Sequence, residues 1–248
     1  MSLPVVVLHG FTGCGAAMRP LTDRLIGEHV IAPDLAGHGL EPPSADTGEY
    51  TVDAMAAAVA GMVGGPFHLV GYSMGGRVAL TLACRRPGRV ASLSLIGASA
   101  GLAGADERAA RSASDDDLAA ELEADPAAFI DRWMNNPLFT TQQRLGIDAW
   151  EASRTQRLAN DPAGMARSLR TGSTGRMTPL HDELSRCAMP VAIIVGELDD
   201  KFRSIAVGLA AAMPDAEIIT IVNAGHATHV EQPEATAAAV LGTIGRVG

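Results

Sequence analysis

Two kinds of apolar pattern alternate along this chain. Short, nearly continuous apolar runs rich in Val, Ile and Leu fall at residues 5–8, 30–32, 67–70, 92–96, 191–195 and 218–222. Strands that alternate apolar with polar residues have one wet face; continuous runs predict parallel strands covered on both faces. Between them, apolar positions return at helical spacing over residues 16–25, 52–62, 75–84, 202–212 and 233–244. Strand and helix in alternation predict an α/β fold: a mostly parallel, doubly wound sheet flanked by helices.

Residues 100–186 break this rhythm. They contain no convincing strand and are polar and helical. Asp115-Asp116-Asp117 and Asp125-Pro126 read as helix starts. An all-helical stretch of this length, with strands resuming after it, is expected to be a cap inserted into one core formed by residues 1–99 and 187–248.

Composition narrows the function classes. The 248 residues carry a net charge of −9, which argues against a general nucleic-acid binder. An anionic substrate would therefore need a local cluster of basic side chains. Cys14, Cys84 and Cys187 are odd in number and widely spaced, which predicts free or buried thiols rather than a disulfide frame or zinc site. The first residues lack the basic flank and apolar length of a signal peptide, and no run is long enough to span a membrane. A cytoplasmic protein is the expectation, with no nucleic-acid or membrane partner; nothing in the sequence sets its oligomeric state.

The chemistry concentrates at Gly71-Tyr72-Ser73-Met74-Gly75. This G-x-S-x-G segment lies between a predicted strand and a predicted helix, the setting of a nucleophile elbow. The serine sits on a strained turn with its hydroxyl exposed, and glycines are needed where strand and helix approach. A serine needs a base, and the base an orienting acid. Asp199, after the fifth apolar run, is the expected acid; Asp200 is its rival and is expected instead to cap the next helix. His226, after the sixth run, is the expected base, with His229 a weaker alternative. His181 reads as a surface residue, His29 and His68 as structural ones, and His9 and His38 as braces of their loops. Two backbone donors for an oxyanion are expected at Met74 and Phe11. No metal or cofactor is called for. Arg77 stands in the first turn of a helix, where the helix dipole opposes a cation by about 0.3–1 kcal/mol, so an anion is expected to compensate.

These residues resemble the α/β-hydrolase superfamily over essentially the whole chain. Gly71 to Arg77, Leu8-His9-Gly10-Phe11-Thr12-Gly13 and Asp34-Leu35-Ala36-Gly37-His38-Gly39 are similar to the MenH family, the 2-succinyl-6-hydroxy-2,4-cyclohexadiene-1-carboxylate synthases. So are Glu107 to Arg111, Trp133 with Asn136-Pro137-Leu138-Phe139, and the acid loop Gly196 to Arg203. The resemblance implies an α/β-hydrolase fold with a helical cap and elimination of pyruvate from a polycarboxylate, a small molecule. It also implies that Arg77, Arg111 and Arg154 bind carboxylates while Tyr72 and Trp133 line the pocket. From the residues alone, Arg111 and Arg154 read as a solvated helix face. Two departures stand out: the usual first hairpin is missing or very short, and Met134 follows Trp133 where an aromatic is often found. Two other functions use the same scaffold: a serine carboxylesterase or C–C-bond hydrolase with Ser73 as nucleophile, and a non-catalytic ligand receptor.

Overall fold

The computed structural model describes residues 2–40 and 44–247. Six parallel strands form one sheet in the order β2-β1-β3-β4-β5-β6. They are β1 (Val5–Leu8), β2 (Val30–Ile31), β3 (Phe67–Tyr72), β4 (Val90–Ile96), β5 (Val191–Gly196) and β6 (Ala216–Ile221). Each predicted strand is present, and the α/β-hydrolase fold is the one observed. The strands β1 and β5 are buried along their whole length, whereas β6, at one edge, is largely exposed. Burying each Val, Leu or Ile side chain contributes about 1.5–3 kcal/mol, so the central strands hold the sheet together.

The helices are α1 (Arg19–Thr22), α2 (Val52–Met62), α3 (Met74–Arg85), α4 (Ala105–Ala124), α5 (Pro126–Met134), α6 (Ile147–Leu158), α7 (Pro162–Gly172), α8 (Asp200–Ala212), α9 (Thr228–Glu231) and α10 (Pro233–Ile244). The helices α2, α3 and α8 pack on one face of the sheet; α1 and α10 cover the other. Between β4 and β5, helices α4 to α7 form the insertion. It has a small apolar core of its own, built from Leu122, Phe129, Ile130, Met134, Met165 and Leu169, with Phe11 and Trp133 packed against it. Met134 thus serves that core rather than a pocket wall. Among the described residues, no helix is long and apolar enough to cross a membrane.

Two expectations about helices fail for identifiable reasons. The long helix expected at residues 16–25 is a 3-10 turn followed by a single α-turn. Gly15 there lies against the Ala32 carbonyl so closely that an added Cβ would sit 2.0 Å from it. Asp115-Asp116-Asp117 does not start a helix but lies inside α4, whose first turn holds Asp106 and Glu107. The acidic run has one local and one tertiary partner: Arg111, one turn earlier in α4, contacts Asp115, and Arg176, outside the helix, contacts Asp116. Asp125 does cap α5, accepting a hydrogen bond from the Ala128 N–H at 3.0 Å. Cys84 and Cys187 are free and buried, and Cys14 is free and half-buried.

Candidate active site

Strand β3 ends at Tyr72, and helix α3 starts at Met74, so the whole turn between them is Ser73. Its backbone has φ 51 and ψ −106, a positive-φ conformation that costs a non-glycine residue on the order of 1–3 kcal/mol. The surroundings hold it there. The Ser73 N–H donates to the Ile96 carbonyl at 2.9 Å, and the Gly75 N–H donates to that of His9 at 3.0 Å. A Cβ on Gly71 would lie 2.5 Å from the Gly75 carbonyl oxygen, and one on Gly75 2.5 Å from that of His9. Side chains at either position would push strand, turn and β1 loop apart. Met74 occupies the first helical position, where an N–H has no acceptor within the helix. Gly10 lies so near that an added Cβ would sit 3.4 Å from Ser73 Cβ, and Phe11 shares the cavity walls with Ser73.

The three residues expected to act together meet at the ends of β3, β5 and β6. His226 Nε2 lies 3.3 Å from Ser73 Oγ, and His226 Nδ1 lies 2.8 Å from Asp199 Oδ2. Both Asp199 and His226 are buried. The second Asp199 oxygen accepts the Phe202 N–H at 3.2 Å, so Asp199 itself caps α8. That corrects the expectation for Asp200. The helix begins two residues earlier than its apolar pattern, and Asp200 stands exposed inside it, paired with Arg203. Glu231, which the sequence did not single out, brackets the histidine loop. Its two oxygens accept the N–H groups of Gly225 at 2.8 Å and Ala227 at 3.2 Å. A Glu five residues after a loop histidine is a weak signal on its own.

The neighbouring histidines behave as braces. His9 Nδ1 donates to the Gly10 carbonyl at 2.8 Å, and Nε2 accepts the Leu35 N–H at 2.9 Å. Burial lowers its pKa to about 4. Burial first, and His9 second, lower His38 to about 3. His229 packs on the Tyr72 ring at 4.2 Å, and burial, then His226 and Arg157, lower it to about 3. Burial also pushes the Tyr72 phenol up. His229 does not touch Ser73 in the way His226 does.

Two cavities flank Ser73 and share Phe11, Trp133 and Phe139 as walls. The smaller, about 130 Å³, is basic: Arg77, Arg111 and Lys201 line it with several hydroxyls. The Arg77 Nη1 donates to the Gly172 carbonyl at 2.8 Å, and among the described residues no carboxylate pairs with it. Burial, and then Arg111, lower its guanidinium to about 10, while Asp115 offsets part of this. Arg111 Nε donates to the buried Asp115 at 2.8 Å, leaving further guanidinium donors free of that bond. The larger cavity, about 420 Å³, is mainly apolar, with Tyr72, His229 and Arg157 in its wall.

The placement of Arg154 departs from expectation. It lines neither cavity and makes a two-pronged pair with Asp131, at 2.5 and 3.0 Å. Three residues further along α6, Arg157 enters the larger cavity and bonds the Thr12 hydroxyl. Burial lowers its pKa too. Asn160, one turn on, donates to the Thr12 carbonyl at 3.0 Å and accepts the Gly39 N–H at 2.6 Å. Asn160 thus anchors the end of α6 to the core loops, a contact that no signal in the sequence announces.

The fold agrees with comparisons to known proteins. Residues 5–239 match the family described as Alpha/beta hydrolase family. The chain belongs to that family. A Bacillus subtilis (strain 168) relative is 36% identical over 92% of this chain and 85% of its own length. The 2-succinyl-6-hydroxy-2,4-cyclohexadiene-1-carboxylate synthase of Enterobacter sp. (strain 638) is 32% identical, covering 94% of this chain and 88% of that protein. Among solved structures, MenH from S. aureus superposes with a TM-score of 0.92 at 31% identity, covering 100% of this chain and 95% of that one. An esterase from Thermogutta terrifontis also matches, with TM-score 0.84 and 26% identity over 100% of this chain and 91% of that one.

Proposed function

We infer that this protein is a MenH-like lyase that eliminates pyruvate from 2-succinyl-5-enolpyruvyl-6-hydroxy-3-cyclohexene-1-carboxylate, a step of menaquinone biosynthesis. The observation that carries this reading is Arg77, a cation in the first turn of α3, beside Ser73 and, among the described residues, without a carboxylate partner. A site for neutral esters has no use for such a charge; a substrate carboxylate supplies the missing anion.

In this reading Asp199 holds the Nδ1–H of His226, and Nε2 takes the proton of Ser73. The Ser73 alkoxide then removes a proton alpha to the succinyl carbonyl. The N–H groups of Phe11 and Met74 stabilise the resulting enolate. As the enolate collapses, the ring C–O bond breaks and pyruvate leaves as its enolate, which takes up a proton. Ser73 serves as a base and forms no acyl-enzyme. The 3.3 Å separation of His226 and Ser73 is long for a proton transfer, and such contacts tighten when substrate fills the site. Arg77 and Arg111 bind carboxylates in the basic cavity, and Arg157 takes the role first expected of Arg154. Trp133 and Tyr72 form the walls, and residues 100–186 act as a cap.

A serine ester hydrolase is the second reading. It is favoured by the mainly apolar larger cavity beside Ser73 and by the likeness to an esterase. Incubating the protein with the enolpyruvyl substrate and following pyruvate release decides between them. Pyruvate release at enzymatic rates supports elimination. Rapid turnover of neutral esters with no pyruvate release overturns it.

A further inference from the structure

The chain holds 19 cationic side chains, and 18 of them are arginine; Lys201 is the sole lysine. Arginine fills every other position in this sequence that needs a positive charge, so the exception asks for a physical reason. Lys201 follows Asp199 and Asp200, yet among the described residues it pairs with neither: Asp199 holds His226, and Asp200 holds Arg203. Its side chain is exposed, and it lines the basic cavity with Arg77, Arg111, Ser73 and His226. The ammonium lies 5.7 Å from the centre of the Phe202 ring, and that ring packs on the His226 imidazole at 4.5 Å. A planar guanidinium at this point would stack on Phe202 beside the catalytic imidazole. A compact ammonium on a four-carbon stem can swing over the rim and follow a moving charge.

We propose that Lys201 is a specificity-determining residue that contacts a substrate carboxylate at the open rim of the basic cavity, outside the carboxylate held by Arg77 and Arg111. The proposal rests on the polycarboxylate reading of the site. It makes the site recognise two anionic groups in sequence: a mobile ammonium meets the outer one, and fixed guanidinium groups hold the inner one.

The single lysine makes a direct test possible. Limited acetylation with an N-hydroxysuccinimide ester, read by peptide mass spectrometry, reports the reactivity of one side chain apart from the N-terminal amine. Succinate or propane-1,2,3-tricarboxylate is expected to slow acetylation of Lys201 at least about threefold, and sodium chloride of equal ionic strength is not. In the kinetic arm, Lys201→Gln is expected to lower kcat/KM for pyruvate release about 5–20-fold, chiefly through KM. This is below the effect of a buried charge-assisted bond because the rim is solvent-screened. The gap between variant and wild type should close as salt rises, and Lys201→Arg should recover only part of the loss. Unchanged acetylation together with wild-type kinetics in Lys201→Gln overturns the proposal. So does protection without a kinetic loss, which would reflect shielding alone. If the wild-type protein releases no pyruvate, the elimination reading falls, while the acetylation arm still reports whether Lys201 faces an anion site.

Discussion

The sheet end and the helical insertion both place polar side chains at the cavity walls, by different means. At the sheet end, backbone does the placing. Ser73 is held by neighbouring main chain and by glycines with no room for a Cβ, and His226 by a loop whose N–H groups are tied to Glu231. In the insertion, side chains place side chains: Arg111 rests on Asp115 and Arg157 on Thr12. Backbone packing tolerates no variation without strain, whereas an ion pair can be moved one turn along a helix. In the proposed reading, reacting groups are set by the rigid sheet and substrate selection by a more easily altered surface.

The largest effects are expected at the sheet end. Ser73→Ala, His226→Ala and Asp199→Asn are each expected to lower kcat at least about 10²–10⁴-fold with the fold intact by circular dichroism. Asp200→Asn should remain near wild type, since its carboxylate faces solvent. The opposite ranking of the two aspartates would overturn the acid assignment.

The next effect tests the cavity arginines. Loss of a charge-assisted hydrogen bond worth about 1.5–3 kcal/mol corresponds to roughly 10–150-fold in kcat/KM, and this is expected for Arg77→Ala and Arg157→Ala in pyruvate release. If both variants keep wild-type kcat/KM, the arginines of the two cavities do not select the substrate.

Backbone packing can be probed through stability. Gly75→Ala forces a Cβ against the His9 and Leu8 carbonyls, 2.5 and 2.6 Å away, and is expected to cost about 1–3 kcal/mol in denaturant titrations. A cost near zero would show that the turn is less constrained than its contacts indicate.

Acid should act on the same region. His9, His38 and His229 have native pKa values of about 4, 3 and 3, against 6.5 for the unconstrained side chain. Between these limits the unfolded chain binds more protons than the native one. Stability from the three neutral rings is therefore complete above about pH 6.5 and is lost as pH falls toward 4 and below. A Tm unchanged from pH 7 to 4.5 would contradict this. Smallest of all, Arg154→Ala should alter kcat/KM for pyruvate release by no more than about twofold, because its pair with Asp131 is a surface contact.

The local order of the chain was enough to reveal six strands and the turn at Ser73, and to propose Ser73, Asp199 and His226, which the structure brings together. Each is written in short-range terms: continuous apolar runs for strands buried on both faces, glycines where backbones touch, and a polar residue just past a strand end. Residues 41–43 fall outside the described part and bear on none of these. The insertion was legible as helical, but not which way its helices face. Arg154 and Arg157 lie on one polar helix, and nothing in their spacing says which turns inward; the contact between Asn160 and the Thr12 loop decides it. Likewise Asp199 rather than Asp200 caps α8: one of its oxygens accepts the Phe202 N–H while the other meets His226, a partner from a distant loop. Sheet and turn are thus encoded locally, in backbone sterics and burial. Which cations face the cavities is set by packing, since Arg77 meets Gly172 and Arg157 meets Thr12, partners far away in the chain.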